Sequence, residues 1–358
     1  MSAAEPEVIA RIEGRAGRLT LNRPSALHAL NTNMCRIMIE ALSAWRTDDR
    51  VRFVLLDHSG DRGFCAGGDI RMLAESGAGD GAQAREFFFT EYRLNELLHR
   101  YRKPMVAIMD GVTMGGGVGL SMPAPWRIAT EKTTFAMPET GIGLFPDVGG
   151  GWYLPRLPGR SGLWLALTGA RLKAADCMAL GIATHFVESA RTLELKAALA
   201  AGPEDIESVL ARFTDSPGEA PIKAHRADID RLFASDDVEA IVSDLGADGS
   251  DWAEAQLATL KTKSPQTLKV AARQLRLGWS KASFADNMAM EYRIGARVVQ
   301  RHDFIEGVRA VIVDKDNAPR WDPPTLRAVS QALIDEIFAP LPADQEWTPL
   351  PFATETSK

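Results

Sequence analysis

The spacing of apolar residues changes several times along the chain, and each change predicts an element. Residues 8–12 and 18–21 alternate as short strands joined around Gly14. Asn31 suits a helix cap. After it, Met34, Ile37, Met38, Ala41 and Trp45 recur every three or four residues and predict an amphipathic helix. Residues 51–56 form a continuous apolar strand that the polar run 57–60 breaks. Asp69 predicts the cap of a short helix reaching Met72, and the small residues 76–81 predict a mobile loop. A second helix is expected over 84–101, then strands over 105–109, 127–130 and 133–136. Residues 173–180 predict a helix closed by a left-handed Gly181, leading into a strand over 182–187. Alternating strands and helices of this kind predict an α/β domain.

The pattern shifts after about Ala190. Glycines thin out and helical periods dominate, as at 253–260, 267–277 and 287–299. Pro203, Pro217 and Pro221 predict linkers, and Pro340, Pro342, Pro349 and Pro351 an extended tail. The expected organisation is a core over 1–190, a helical domain over 191–339 and a tail over 340–358. There is no internal repeat and no low-complexity tract.

Composition narrows the function classes. The 358 residues are 46% hydrophobic and 25% charged, the balance of a globular protein. A net charge of −6 and a pI near 5.6 argue against a nucleic-acid partner. Three well-separated cysteines, Cys35, Cys65 and Cys177, make neither a disulfide framework nor a zinc site, so a cytoplasmic location is expected. The N-terminal residues MSAAEPE carry two acids and resemble no signal or transit peptide. The longest weakly polar run, 111–126, is too short for a membrane span of about 20 residues, so no membrane partner is expected.

Chemistry concentrates where the glycines cluster. The G-x-S-x-G elbow, the phosphate loop, the G-x-G-x-x-G turn and H-E-x-x-H are all absent. Three other segments remain. Phe64 to Asp69 and Thr113 to Leu120 are glycine-rich turns entering helices, where backbone N–H groups lack intrahelical acceptors and a ligand can come close. One N–H from each would make an oxyanion hole. The third segment, Met137 to Gly151, holds two carboxylates, Glu139 and Asp147, in an otherwise apolar stretch, which suits an acid, base or nucleophile pair. Glu91 lies on a helix, with Phe87 and Phe88 four and three residues before it, so burial would raise its pKa. Ordinary readings compete with these: Asp147 as a helix cap, Cys65 and His185 as packing residues, Trp152 and Tyr153 as packing or pocket residues.

The strings FCAGGDI, TMGGGVGL and MPETGIGLFPDVGGGWYLPRL resemble the crotonase (enoyl-CoA hydratase/isomerase) superfamily. With LTGARLKAAD, GIATHFV, EYRIGARV and DFIEGVRAVIVDKDNAPRW, they are similar to its 3-hydroxyisobutyryl-CoA hydrolase subgroup. The resemblance runs from about Gly14 to Trp321. It implies a crotonase-like spiral of β-β-α turns with an α-helical C-terminal region. It implies that Gly68 and Gly116 offer the oxyanion N–H groups, that Glu139 and Asp147 are catalytic, and that Glu91 binds substrate. The implied reaction is hydrolysis of a short 3-hydroxyacyl-CoA, with no cofactor beyond the coenzyme A of the substrate; self-association is left open. A related hydratase has a second glutamate, which here falls on Gly119. After Asn22-Arg23-Pro24 the family's lysine and asparagine are replaced by Ser25 and His28, which removes a candidate coenzyme A contact. Arg309, Lys315 and Arg320 are alternative phosphate partners or a solvated face.

Overall fold

Gly14, at φ +58°, turns the chain between β1 (Val8–Glu13) and β2 (Ala16–Leu21), which pair antiparallel. The computed structural model describes residues 5–202 and 205–351, so Pro203 and residues 352–358 of the expected tail lie outside the described residues. The helix α1 (Thr32–Trp45) starts where the pattern placed it: the Asn31 side chain accepts from the Met34 N–H at 2.8 Å.

From there the chain lays strands alternately in two sheets. β3 (Phe53–His58) joins a large sheet and β4 (Gly63–Cys65) a small one, before α2 (Ile70–Gly77) and α3 (Ala82–His99). β5 (Met105–Met109) and β6 (Val112–Met114) repeat the step before α4 (Gly116–Ser121). β7 (Trp126–Ala129) and β8 (Thr134–Ala136) repeat it again. Then come α5 (Gly150–Tyr153), α6 (Ser161–Thr168), α7 (Ala174–Ala179) and β9 (His185–Phe186). The large sheet runs β1-β2-β3-β5-β7-β9, parallel except for the β1–β2 pair, and the small sheet runs β4-β6-β8, all parallel. This is the spiral that the resemblance implied.

The large sheet is apolar on both faces, as parallel sheets covered on both sides are. Val54 and Leu56 belong to the main core, while Phe53 and Leu55 pack with Val106, Ile108, Leu195 and Leu199 on the other face.

Every described helix from here on lies beyond β9. These are α8 (Thr192–Ala200), α9 (Ile206–Ala211), α10 (Arg226–Leu232), α11 (Val238–Asp248) and α12 (Asp251–Lys261). They continue as α13 (Pro265–Trp279), α14 (Phe284–Val298), α15 (His302–Val308) and α16 (Gln331–Phe338). Helix α13 packs on α5, and α14 on α3. Pro340 and Glu346 are held by Arg297 and Arg293 of α14, and the chain then reaches α3: Trp347 is 4% exposed and its indole N–H donates to the Phe89 carbonyl at 3.2 Å. Arg93 of α3 and Arg100, just past its end, hold the Thr348 and Leu350 carbonyls.

Three local expectations differ from the structure. Asp57 does not break its strand, because Arg18 (2.6 Å), Thr20 (2.7 Å) and Lys196 (3.2 Å) satisfy its buried carboxylate. The run 76–81 is no free loop. Helix α2 continues to Gly77, whose missing side chain lets it meet the Val299 backbone; a Cβ there would lie 2.0 Å from the carbonyl oxygen. The strand expected over 182–187 shortens to β9, because the Ile182 and Ala183 N–H groups bond back to Cys177 at the end of α7.

Trp347→Ala should destabilise the fold by about 3 kcal/mol, from lost burial and an unpaired carbonyl. Urea unfolding measures it, as a lower midpoint at unchanged slope.

Candidate active site

Three equivalent positions, one after each strand of the small sheet, meet at one place. Gly68 follows β4, Gly116 follows β6 and Glu139 follows β8. In parallel sheets a ligand site belongs at the carboxyl ends of strands. Gly68, Gly116, Glu91, Glu139 and Asp147 all line one cavity of about 60 Å³, walled by Phe87, Phe88, Ile142 and Leu144. The five residues singled out in the sequence are thus brought together.

The glycines allow the convergence. A Cβ on Gly115 would lie 3.2 Å from the Gly67 Cα, and one on Gly116 would lie 2.8 Å from Glu91 Oε1 and 2.9 Å from Leu30 Cδ1. Gly67 (φ +116°) and Gly115 (φ +45°) also adopt left-handed backbone. The bridge between Leu30 and Gly68 uses the Leu30 N–H to Gly67 O and the Asp69 N–H to Leu30 O, which leaves the Gly68 N–H outside it. Gly116 opens α4, so its N–H has no intrahelical acceptor.

Helix α3 supplies Glu91 from its buried face, and the turn after β8 supplies Glu139; each is 5% exposed or less. Burial raises both pKa values well above the usual carboxylate range, and neighbouring carboxylates add to the rise. Glu91 Oε1 and Glu139 Oε2 have no protein partner among the described residues. Asp147 is pushed up to about 7, chiefly by burial. It is not a side-chain cap: the residue capping α5 is Gly149, and Asp147 Oδ2 instead accepts from the Tyr92 hydroxyl at 2.9 Å. The next residue, Val148, has φ +51°, a conformation costing of order 1–3 kcal/mol for a β-branched side chain.

The position of a second hydratase-type glutamate is filled. A Cβ on Gly119 would lie 2.6 Å from Val148 Cβ and 2.7 Å from Asn95 Nδ2. Asn95 is fully buried, one helical turn after Glu91, and neither of its amide atoms has a protein partner among the described residues.

Sequence reasoning missed Tyr92, Asn95 and Glu291. Asn95 follows Glu91 at the four-residue spacing of one helix face, a signal that was readable. Tyr92 and Glu291 act across long sequence separations and left none. Glu291, fully buried on α14, accepts from the Gly149 and Gly151 N–H groups at 2.8 and 2.9 Å.

Other candidates resolve plainly. Cys65 is buried beside the His28 carbonyl, and burial pushes its thiol up to about 12, so it is no nucleophile. His28 Nδ1 accepts from the Arg23 N–H and its Nε2 meets the Ser59 carbonyl, and burial lowers its pKa to about 4; it holds its own loop. His185 pairs with Thr184 and faces Glu207 at 3.7 Å. Trp152 and Tyr153 pack on His99 and Phe284. Arg309 is held by Glu306, Asp314 and Asp316. Lys263 lies against the turn that carries Glu139: a Cβ on Gly141 would be 3.3 Å from its Nζ. Burial lowers its pKa, and nearby Arg171 lowers it further. Neither cation has an ion-pair partner among the described residues.

The Tyr92 hydroxyl favours the ionised form of Asp147, so it opposes the upward push of burial. Asp147 also faces Glu91, Glu139 and Glu291, all carboxylates. Tyr92→Phe should therefore raise the Asp147 pKa further. The acid limb of the pH–rate profile should move to higher pH, by about one pH unit, as steady-state rates across pH 5–9 would record.

Comparison with known proteins gives the chain its kin. A profile of the enoyl-CoA hydratase/isomerase family matches residues 16–338. The chain is 46% identical over 349 residues to a Danio rerio protein named 3-hydroxyisobutyryl-CoA hydrolase, mitochondrial, covering 95% of this chain and 91% of the relative. A solved structure described as a carnitinyl-CoA dehydratase from Mycobacterium thermoresistibile superposes with a TM-score of 0.91 at 41% identity, covering 96% of this chain and 98% of that one. One described as an enoyl-CoA hydratase from Rhodobacter sphaeroides 2.4.1 gives 0.88 at 40% identity, covering 96% and 100%. With its spiral of paired sheets and a match over most of its length, the chain belongs to the enoyl-CoA hydratase/isomerase family and has the crotonase fold.

Proposed function

We propose that this protein hydrolyses a short-chain 3-hydroxyacyl-CoA thioester, foremost 3-hydroxyisobutyryl-CoA, to the free hydroxy acid and coenzyme A, a step of valine breakdown. The observation that carries the reading is the convergence of Glu139 and Asp147 on a cavity walled by two glycine turns. The identity to a relative named as that hydrolase supports it. The volume, near 60 Å³, suits a small acyl group.

Attack at the thioester carbonyl carbon moves the C=O electron pair onto oxygen, where the Gly68 and Gly116 N–H groups hold it. Collapse breaks the C–S bond and expels the coenzyme A thiolate. Glu139 drives the attack, either itself, through a mixed anhydride that water opens, or by deprotonating water. Water supplies the hydroxyl of the product acid and the proton that ends on sulfur. Asp147 orients that water and relays the proton. Glu91, whose pKa burial raises, hydrogen-bonds the acyl hydroxyl. No cofactor is needed, and a reducing compartment such as the cytoplasm suits the three free buried cysteines. Among the described residues no helix is long and apolar enough to cross a membrane.

The rival reaction, enoyl hydration, is named for the solved Rhodobacter sphaeroides neighbour. Gly119 argues against it, because Asn95 and Val148 fill the space of a second carboxylate. Glu139→Gln should lower free-thiol release from 3-hydroxyisobutyryl-CoA by about 10²–10⁴-fold with the fold intact. Hydration of crotonyl-CoA by the parent protein without thiol release would overturn the assignment. Lys263, beside the turn that carries Glu139, and nearby Arg171 are the cations assigned here to the coenzyme A phosphates. Lys263→Ala should raise KM about tenfold for the CoA thioester and leave it unchanged for the pantetheine thioester, which lacks the nucleotide phosphates.

A further inference from the structure

The loop that carries Asp147 is held from outside the spiral. Glu291 of α14 places one oxygen on the Gly149 N–H (2.8 Å) and the other on the Gly151 N–H (2.9 Å). Two side chains of the C-terminal helices lock that carboxylate in turn. Gln274 of α13 donates to Glu291 Oε1 at 3.0 Å, and Asn287 of α14 donates to the same oxygen at 2.8 Å. Gln274 also donates to the Pro146 carbonyl at 2.7 Å. The loop is thus gripped on both sides of Asp147, at residue 146 and at residues 149 and 151.

All three side chains are buried, with 2% exposure or less. Burying such a cluster is costly; four donors satisfy the Glu291 carboxylate, while Gln274 Oε1 and Asn287 Oδ1 have no partner among the described residues. The backbone that it spans includes Val148 in left-handed conformation, which a free loop would leave. Close packing lets the clamp work: a Cβ on Gly151 would lie 2.8 Å from Asn287 Oδ1, and one on Gly278 would lie 1.9 Å from the Gly151 carbonyl oxygen.

We propose that Glu291, with Gln274 and Asn287, is a positioning clamp: it fixes the Pro146–Gly151 backbone so that Asp147 faces Glu139 across the cavity. Glu291 lines no part of the cavity and acts only through the loop. The proposal rests on the reading of the cavity as a thioester hydrolase site. It assigns to the C-terminal helices a part in catalysis beyond covering the core.

Glu291→Gln keeps the shape but turns an N–H₂ toward one of the two backbone donors. Its kcat for thiol release should fall about ten- to a hundredfold with KM within twofold of the parent, because the geometry of attack and not ground-state binding is lost. Hydrogen exchange followed by mass spectrometry, which needs no substrate, should show faster exchange over residues 146–151 and unchanged exchange in the sheets. A folded variant with parental kcat and parental exchange overturns the clamp. So does a variant whose kcat falls only in step with general loss of protection throughout the protein. Should Glu291→Gln fail to fold, Gln274→Met removes the grip on Pro146 and one of the four donors to Glu291, and is read in the same way. If the parent protein releases no thiol, the hydrolase reading fails; faster exchange over 146–151 would then still stand as evidence for the clamp.

Discussion

The small parallel sheet is the constraint on which the rest depends. Its three strands end side by side, so whatever follows each strand is delivered to the same place without any long-range design of loops. Two of the three followers are glycine turns packed so closely that a Cβ on either Gly67 or Gly115 would lie within 4 Å of the other's Cα. Side chains there would push the turns apart and carry the two candidate N–H donors with them. The third follower is Glu139, whose Oε1 would stand 3.1 Å from a Cβ on Gly115. Strand spacing therefore sets where the two donors and the Glu139 backbone stand relative to one another.

The second constraint is electrostatic. Glu91, Glu139, Asp147 and Glu291 share one buried region, and none forms an ion pair there among the described residues. Their pKa values rise together, because burial and mutual repulsion both disfavour the charged forms. Glu291 differs from the others in its four donors, which is why it serves as a fixture while Glu91 and Glu139 keep unpaired oxygens facing the cavity region. The sign for stability follows. A carboxyl whose folded pKa lies above its unfolded value stabilises fully at low pH and loses that contribution as pH rises toward the folded value, about 7 for Asp147. The fold thus gives up stability as pH rises toward neutrality.

Much of this was legible from local patterns. Asn31 and Asp69 cap the helices that their positions predicted, and Gly181 takes φ +72° after α7 as its place required. Glu139, Asp147, Gly68 and Gly116 stood out because charge and glycine are rare inside apolar runs. What stayed hidden was set by distance along the chain. β4 and β6 are three residues each, too short to show an alternation, and they exist because parallel neighbours pair with them. Asp57 reads as a strand breaker until Arg18 and Lys196 arrive from elsewhere. Glu291 sits in a helix whose apolar stripe marks it as buried, but nothing local shows that its partners are two glycine amides some 140 residues earlier.

The crowding of carboxylates also bears on how a catalytic cycle ends. Under the proposed reaction the acyl group enters as an uncharged thioester and leaves as an anion. It is formed a few ångströms from side chains that already resist holding negative charge, with no cation among the residues lining the cavity. The substrate meets no such repulsion at the acyl end, whereas the product meets it at once. The same burial that raises the pKa of Glu91 and Glu139 thus makes the cavity a poor host for the acid it generates, and product inhibition by that acid should be weak.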